Sequence, residues 1–289
     1  QAAAQFLRSQ EPGSSRLAVA CDARDNSRSF ARAFSEGVTR GGADVVNLGT
    51  VPPGALAYAR GADGYGGGAF IGGGNRAGGI NGVRLWRSEA QLVGFGSGLD
   101  KIGLIARRMR LGRSRLPGEM HSVDLLADYL SYLKTFAPDL RPLAIVMDGG
   151  NGAAGRVARR LVADLPIELI PMHFEEDGRS PFLGKEFPAP AVVAAVREGL
   201  RRHEAGCGAA FDFNAERVVF FDETGAPLRH DMAAALIATE MLARNPGGAV
   251  ALDLRFSAAL QARITQKGGQ ALRAPASRLE FAQHFRRNE

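Results

Sequence analysis

The chain is poor in lysine, cysteine and tryptophan, and it has no long apolar run. Of its 36 basic residues only Lys101, Lys134, Lys185 and Lys267 are lysines. A net charge of +6 would suit nucleic acid if it were gathered on one face. The arginines are instead scattered among 30 acidic residues, apart from pairs such as Arg107-Arg108 and Arg201-Arg202, and no aromatic residues interleave with them. They read as solvated helix faces, and nucleic acid is not an expected partner. The two cysteines, Cys21 and Cys207, sit in separate apolar runs without CxxC spacing. That excludes a disulfide framework and points to free thiols in a reducing compartment. No apolar stretch reaches the ~18 residues of a membrane span, and Gln1–Gln10 lacks the charged-then-apolar order of a secretory leader. The expected location is the cytoplasm, or an organelle matrix if a targeting segment is missing. The histidines His121, His173, His203, His230 and His284 have no metal-ligand spacing, so surface or capping roles are expected. One further lack is local: between Gly66 and Gly82 there is no Ser, Thr, Tyr, Asp or His.

What is present is an alternation of short apolar runs with helical patterns. Leu17–Cys21 reads as a buried strand ending at Asp22, and Ser29–Arg40 as a helix with Phe30, Phe34 and Val38 on one face. Val45–Leu48 is the next strand, Ala55–Arg60 a short helix, and Ala69–Ile71 a strand that enters a glycine-rich loop. Gly82–Trp86 leaves that loop, and helices are expected over Gly98–Arg110 and Ser122–Lys134. The pattern restarts with strand Leu143–Met147, the loop Asp148–Gly155 and a helix through Leu161. Strand Ile167–Ile170, helix Ala191–His203 and strands Cys207–Phe211 and Val218–Phe221 follow. A third start comprises helices Asp231–Arg244, Ser257–Lys267 and Leu279–Arg286, with strands Ala249–Leu252 and Ala271-Leu272. Alternation of this kind predicts α/β domains with mixed, largely parallel sheets flanked by helices. The expected divisions are 1–120, 121–226 and 227–289.

Several strings carry a specific resemblance. Gly66–Leu85 reads GGGAFIGGGNRAGGINGVRL, and its end, Asn81-Gly82-Val83-Arg84-Leu85, is similar to the N-G-[IV]-[KR]-[LV] of the α-D-phosphohexomutases, the phosphoglucomutase/phosphomannomutase superfamily. Asp22-Ala23-Arg24 resembles that family's D-x-R turn, Gly49-Thr50-Val51-Pro52 its G-x-V-P turn, and Asp148–Gly155 its D-[GC]-G-N-G-A-[AG]-G. Phe221–Gly225, Arg229-His230-Asp231 and Asn245-Pro246-Gly247-Gly248 match later turns in order. The resemblance covers nearly the whole chain. It implies consecutive phosphohexomutase-type domains, with the third incomplete and the fourth absent.

The resemblance also implies a chemistry: transfer of phosphate between C1 and C6 of a hexose through a phosphoserine, with Mg²⁺ held by D-G-D-x-D-R. Here the active-site loop, 71–79, departs from T-A-S-H-N-P. The serine position is Gly74, and its neighbours are Asn75, Arg76 and Ala77. The metal loop, 212–217, reads Asp212-Phe213-Asn214-Ala215-Glu216-Arg217, so Asp212, Asn214 and Glu216 would be the ligands. One carboxylate has become a neutral amide and one carries an extra methylene, which weakens any Mg²⁺ site. The family's paired histidines are replaced in Phe182–Phe187, and its T-P-x-G-x-K in Ala274–Leu279. By the resemblance, Arg24 and Arg217 are retained catalytic-site arginines, while Asn81, Gly82 and Arg84 face substrate. The expectation is a pseudoenzyme, a scaffold or subunit of a larger assembly with a protein partner. The alternatives are an active phosphoglucomutase/phosphomannomutase, or a protein that binds hexose phosphate without turnover.

Overall fold

The computed structural model describes residues 1–10, 16–62, 65–87, 91–110, 112, 114, 116–136, 140–178, 180 and 183–275. The chain divides into two units, one of Gln1–Val218 with Glu223–Gly225, the other of Val219–Asp222 with the chain from Ala226 on.

The first unit holds two α/β domains with sheets flanked by helices. Its first part runs α1 (Ala2–Gln10), β1 (Arg16–Cys21), α2 (Ser27–Arg40), β2 (Asp44–Thr50), α3 (Pro53–Ala62), β3 (Gly67–Ile71), β4 (Val83–Arg87), α4 (Leu99–Arg108), β5 (Met120–Ser122) and α5 (Leu126–Lys134). The sheet order is β4-β3-β1-β2-β5. All neighbours are parallel except β3 with β4, which run antiparallel. The strand β1 shows why. Successive side chains of a strand point to opposite faces, and a parallel strand is covered on both. Leu17, Val19 and Cys21 therefore join Phe6, Leu7, Ala31 and Val38 on one side. Ala18 and Ala20 join Ala55, Leu56, Ala59, Phe70 and Trp86 on the other. Each fully buried Leu or Val contributes about 1.5–3 kcal/mol relative to exposure.

The second part runs β6 (Leu143–Asp148), α6 (Ala153–Val162), β7 (Ile167–Met172), α7 (Pro190–His203) and β8 (Cys207–Phe211), in the order β7-β6-β8; the strand β9 (Val218–Phe221) starts at Val218 and otherwise belongs to the second unit. The strands β7 and β8 both pair with β6 in parallel. Helix α7 buries Val192, Val196 and Leu200, a spacing of four that keeps one face on the sheet. The second unit carries α8 (His230–Arg244), β10 (Ala249–Asp253), α9 (Ala258–Gln266) and β11 (Gln270–Ala274). There β10 and β11 pair in parallel, over a small core of Ala238, Leu242, Leu252, Leu260 and Ile264.

Besides shifts at the ends of β2, α3 and β7, three elements differ from the sequence reading. Helix α1 replaces an unassigned N-terminal stretch, because Ala3, Ala4, Phe6 and Leu7 bury one face. The predicted helix Ser122–Lys134 begins only at Leu126, since Met120–Ser122 pairs with the outer side of β2 as β5. The strand expected at Ala271-Leu272 is a five-residue β11. The predicted helix Leu279–Arg286 lies outside the described residues. Among the described residues no helix is long and apolar enough to cross a membrane. Cys21 is buried and Cys207 half-buried, both free; burial holds both thiols above the ordinary cysteine range.

Candidate active-site cleft

The loops at the carboxyl ends of the two sheets of the first unit meet one another. The first begins where β1 stops. Asp22 is almost fully buried, so its charge must be met from within. One carboxylate oxygen accepts from the Ser27 hydroxyl (2.5 Å) and the Arg24 amide (3.2 Å); the other accepts from the Gly73 amide (3.0 Å) and pairs with the Arg24 guanidinium. Arg24, 2% exposed, spends its remaining terminal nitrogen on the carbonyls of Gly74 and Arg76, both at 2.8 Å. Its plane lies over the Phe213 ring, 4.9 Å from the centroid. A single arginine thus binds the end of β1, the glycine loop and the loop after β8.

Gly74 sits at φ +62°, and a Cβ built there would meet nothing within 4 Å. The position is open but left-handed, a conformation that glycine adopts freely. Asn75 turns to the second domain: its side-chain amide donates to the Lys185 carbonyl, and its own carbonyl accepts from the Gly184 amide, both at 2.8 Å. Arg76 is exposed. Asn81 donates to Asn26 Oδ1 (3.1 Å) and Ser27 Oγ (2.7 Å) and accepts from the Gly82 amide (2.8 Å). It ties the loop's far end to the start of α2.

The loop after β8 is closed by its own side chains. Asp212 accepts from the amides of Glu216 (2.8 Å) and Arg217 (3.2 Å) through one oxygen, and from Arg217 Nε (2.9 Å) through the other. Arg217 also lies over the Phe187 ring at 5.2 Å. Glu216 is held by both terminal nitrogens of Arg84, at 2.5 and 3.2 Å. Arg84 in turn stands 5.7 Å from the centroid of Trp86. Ala215 takes a left-handed φ of +56° within this turn. Asn214 is 1% exposed, and neither polar atom of its amide has a partner. The loop Gly149–Gly152 packs on the same turn; a Cβ at Gly152 would fall 1.8 Å from the Phe213 carbonyl oxygen. Beside it, Asp148 accepts from the Gly150 amide (2.8 Å) and pairs with His173 Nδ1 (2.7 Å). Arg156 reaches the Thr50 carbonyl and pairs with Glu176 at 3.2 Å. Burial pushes the Glu176 carboxyl above its usual range, against the opposing pull of Arg156 and Arg28.

The residues singled out by sequence separate into three kinds. Arg24 and Asn81 act on the backbone of the glycine loop, Arg84 and Arg217 on carboxylates, and Gly74 leaves space. The pairing of Arg84 with Glu216 joins a residue assigned to substrate with one assigned to metal. Asp22, Ser27, Phe213 and the Asp148–His173 pair were not singled out for roles of their own. For Asp22, Asp148 and His173 the signal was a polar residue at a strand end; Ser27 and Phe213 carried no such signal.

The donor set does not fit Mg²⁺. Both carboxylates are engaged by guanidinium groups, and the third position is a neutral amide. Among the described residues no three or more His, Cys, Asp and Glu side chains are grouped to hold a metal ion.

Consecutive α/β domains whose strand-end loops meet define a broad class, the multidomain α/β proteins that receive ligands at the carboxyl ends of their strands. Within that class, residues 1–93 match the family model for phosphoglucomutase/phosphomannomutase alpha/beta/alpha domain I, and residues 127–225 match the model for domain II. The chain is 27% identical over 272 residues to a phosphomannomutase of Vibrio cholerae, covering 92% of this chain and 59% of that protein. It is 28% identical to a phosphomannomutase/phosphoglucomutase of Pseudomonas putida, covering 93% of this chain and 57% of the other. The solved structure of a phosphoglucomutase/phosphomannomutase family protein from Burkholderia thailandensis superposes with a TM-score of 0.84 at 25% identity, over 99% of this chain and 63% of that one. This chain belongs to the phosphoglucomutase/phosphomannomutase family. It spans a little under three-fifths of the length of those two curated relatives.

Proposed function

We propose that the cleft takes a hexose phosphate, the substrate class named by the mutases the chain resembles. The observation that carries this reading is the match to both of the family's α/β domain models in order, together with the meeting of their strand-end loops. Similarity to phosphomannomutases and phosphoglucomutases over more than nine-tenths of the chain favours this reading over a scaffold with no small-molecule ligand.

This chain's own contribution is positioning. Arg24 holds the carbonyls of Gly74 and Arg76 inward, which leaves the open side of the loop to a ligand. Phosphoryl transfer through a covalent intermediate needs an oxygen, nitrogen or sulfur nucleophile. The loop offers none at Gly74, so we propose as a second reading that hexose phosphate is bound without turnover. A partner protein or larger assembly would then use the liganded state.

Two measurements separate the readings. Calorimetric titration with glucose 1-phosphate should give saturable binding; no saturation at millimolar ligand would sink the first reading. Conversion of glucose 1-phosphate to glucose 6-phosphate, with Mg²⁺ and an activating bisphosphate, should stay at the level of a contamination control. Turnover above that control would discard the second reading and keep the first.

A further inference from the structure

We infer that Arg84, together with Arg217, is the permanent cation of this cleft, and that the loop 212–217 works without a divalent metal. The argument is one of charge balance. The loop carries two carboxylates, Asp212 and Glu216, and each meets a guanidinium directly. Formal charges of −2 and +2 cancel within hydrogen-bonding distance. The Arg84 contact is a two-point fork, the geometry in which an arginine matches a carboxylate best. Its shape is also supported from behind, since Trp86 underlies Arg84 and Phe187 underlies Arg217. The carboxylates are poorly exposed, Glu216 at 10% and Asp212 at 4% of side-chain surface, while Arg84 (30%) and Arg217 (49%) are reached by solvent, so screening is partial and weaker for the Arg84 pair.

A divalent ion entering the loop would have to displace both guanidiniums from partly buried carboxylates. It would receive in return two charges and the neutral Asn214 amide. Mg²⁺ dehydrates reluctantly and needs near-octahedral oxygen ligands at short range. That exchange is unfavourable on both counts. The inference concerns the metal alone and stands whether or not the cleft takes a hexose phosphate.

The test uses Mn²⁺ as a paramagnetic probe of the whole chain, read by electron paramagnetic resonance and by water-proton relaxation. The wild-type protein should immobilise no Mn²⁺ up to about 1 mM, the weak end of the range seen for carboxylate sites. The double variant Arg84→Gln, Asn214→Asp removes the guanidinium fork from Glu216 and supplies a third carboxylate. It should bind Mn²⁺ at least about tenfold more tightly than wild type, as a higher ligand charge count requires. Wild-type binding tighter than 1 mM would overturn the inference. So would a double variant that is folded by circular dichroism yet binds no better than wild type. If the buried aspartate prevents folding, Arg84→Gln alone carries the test. It should bind Mn²⁺ measurably better than wild type, and equal affinity would count against Arg84 as the replacing cation.

Discussion

The glycine loop after β3 and the turn after β8 face one another, and they are built in opposite ways. The first is made of backbone. Gly74, Gly78 and Gly79 have no atom within 4 Å of where a side chain would start, and its shape is imposed from outside by Arg24, while Asn81 ties its far end to α2. The second is made of side chains, with each carboxylate closed by an arginine and Phe213 filling the space below. One loop keeps room without reactive groups; the other keeps polar groups without room. The comparison teaches that open space and charged groups are separate properties of a loop: one loop is open at Gly74 without a hydroxyl, and the other holds carboxylates that arginines close.

Four substitutions break or sharpen that contrast. Arg24→Ala removes a side chain that touches both loops. It leaves the buried Asp22 carboxylate without its counterion and two carbonyls without their guanidinium donor, and should cost about 3–5 kcal/mol, read as a lowered midpoint in urea denaturation. A loss below 1 kcal/mol would mean that the loops hold themselves. Gly152→Ala should cost about 1–3 kcal/mol by forcing the Phe213 carbonyl away. Gly74→Ala, in open space, should cost only the left-handed strain of about 1–2 kcal/mol. Equal effects at the two glycines would erase the distinction drawn between the loops. Gly74→Ser carries the same strain and supplies a hydroxyl. Incubated with glucose 1,6-bisphosphate, it should yield phosphoprotein by intact mass where wild type yields none.

The smallest effect is one of pH. The Glu176 carboxyl is raised in the folded chain, so the folded state binds the proton more tightly than the unfolded one. Stability contributed by the protonated form is complete at pH below the ordinary glutamate value and is lost as pH rises through the raised value. Glu176→Gln should flatten the thermal midpoint between mildly acidic and neutral pH. An unchanged slope would show that the pairing with Arg156 offsets the burial.

The strands were legible wherever they are buried on both faces, as at β1, β3 and β8, because such strands must be continuous apolar runs. The edge strand β5 was not, since Met120, His121 and Ser122 are all exposed and form no pattern. Helix α1 lacks a capping signal, and only its packing defines it. Motif spacing led to Arg24, Asn81, Arg84, Asp212 and Glu216. What those residues touch was hidden. Arg84 meets Glu216 across 132 positions, and Arg24 meets the loop carbonyls across 50 and 52. The Arg84 contact is set by the approach of two sheets and the Arg24 contacts by the pairing of β1 with β3, neither of which local pattern encodes.

The chain has a single tryptophan, and it lies beneath Arg84. Its indole is therefore a built-in optical gauge of the cleft. Any event that draws the guanidinium from Glu216 alters the charge above the ring and shifts its emission. Ligand entry, metal challenge and rearrangement of the turn can all be followed by fluorescence, with no label attached.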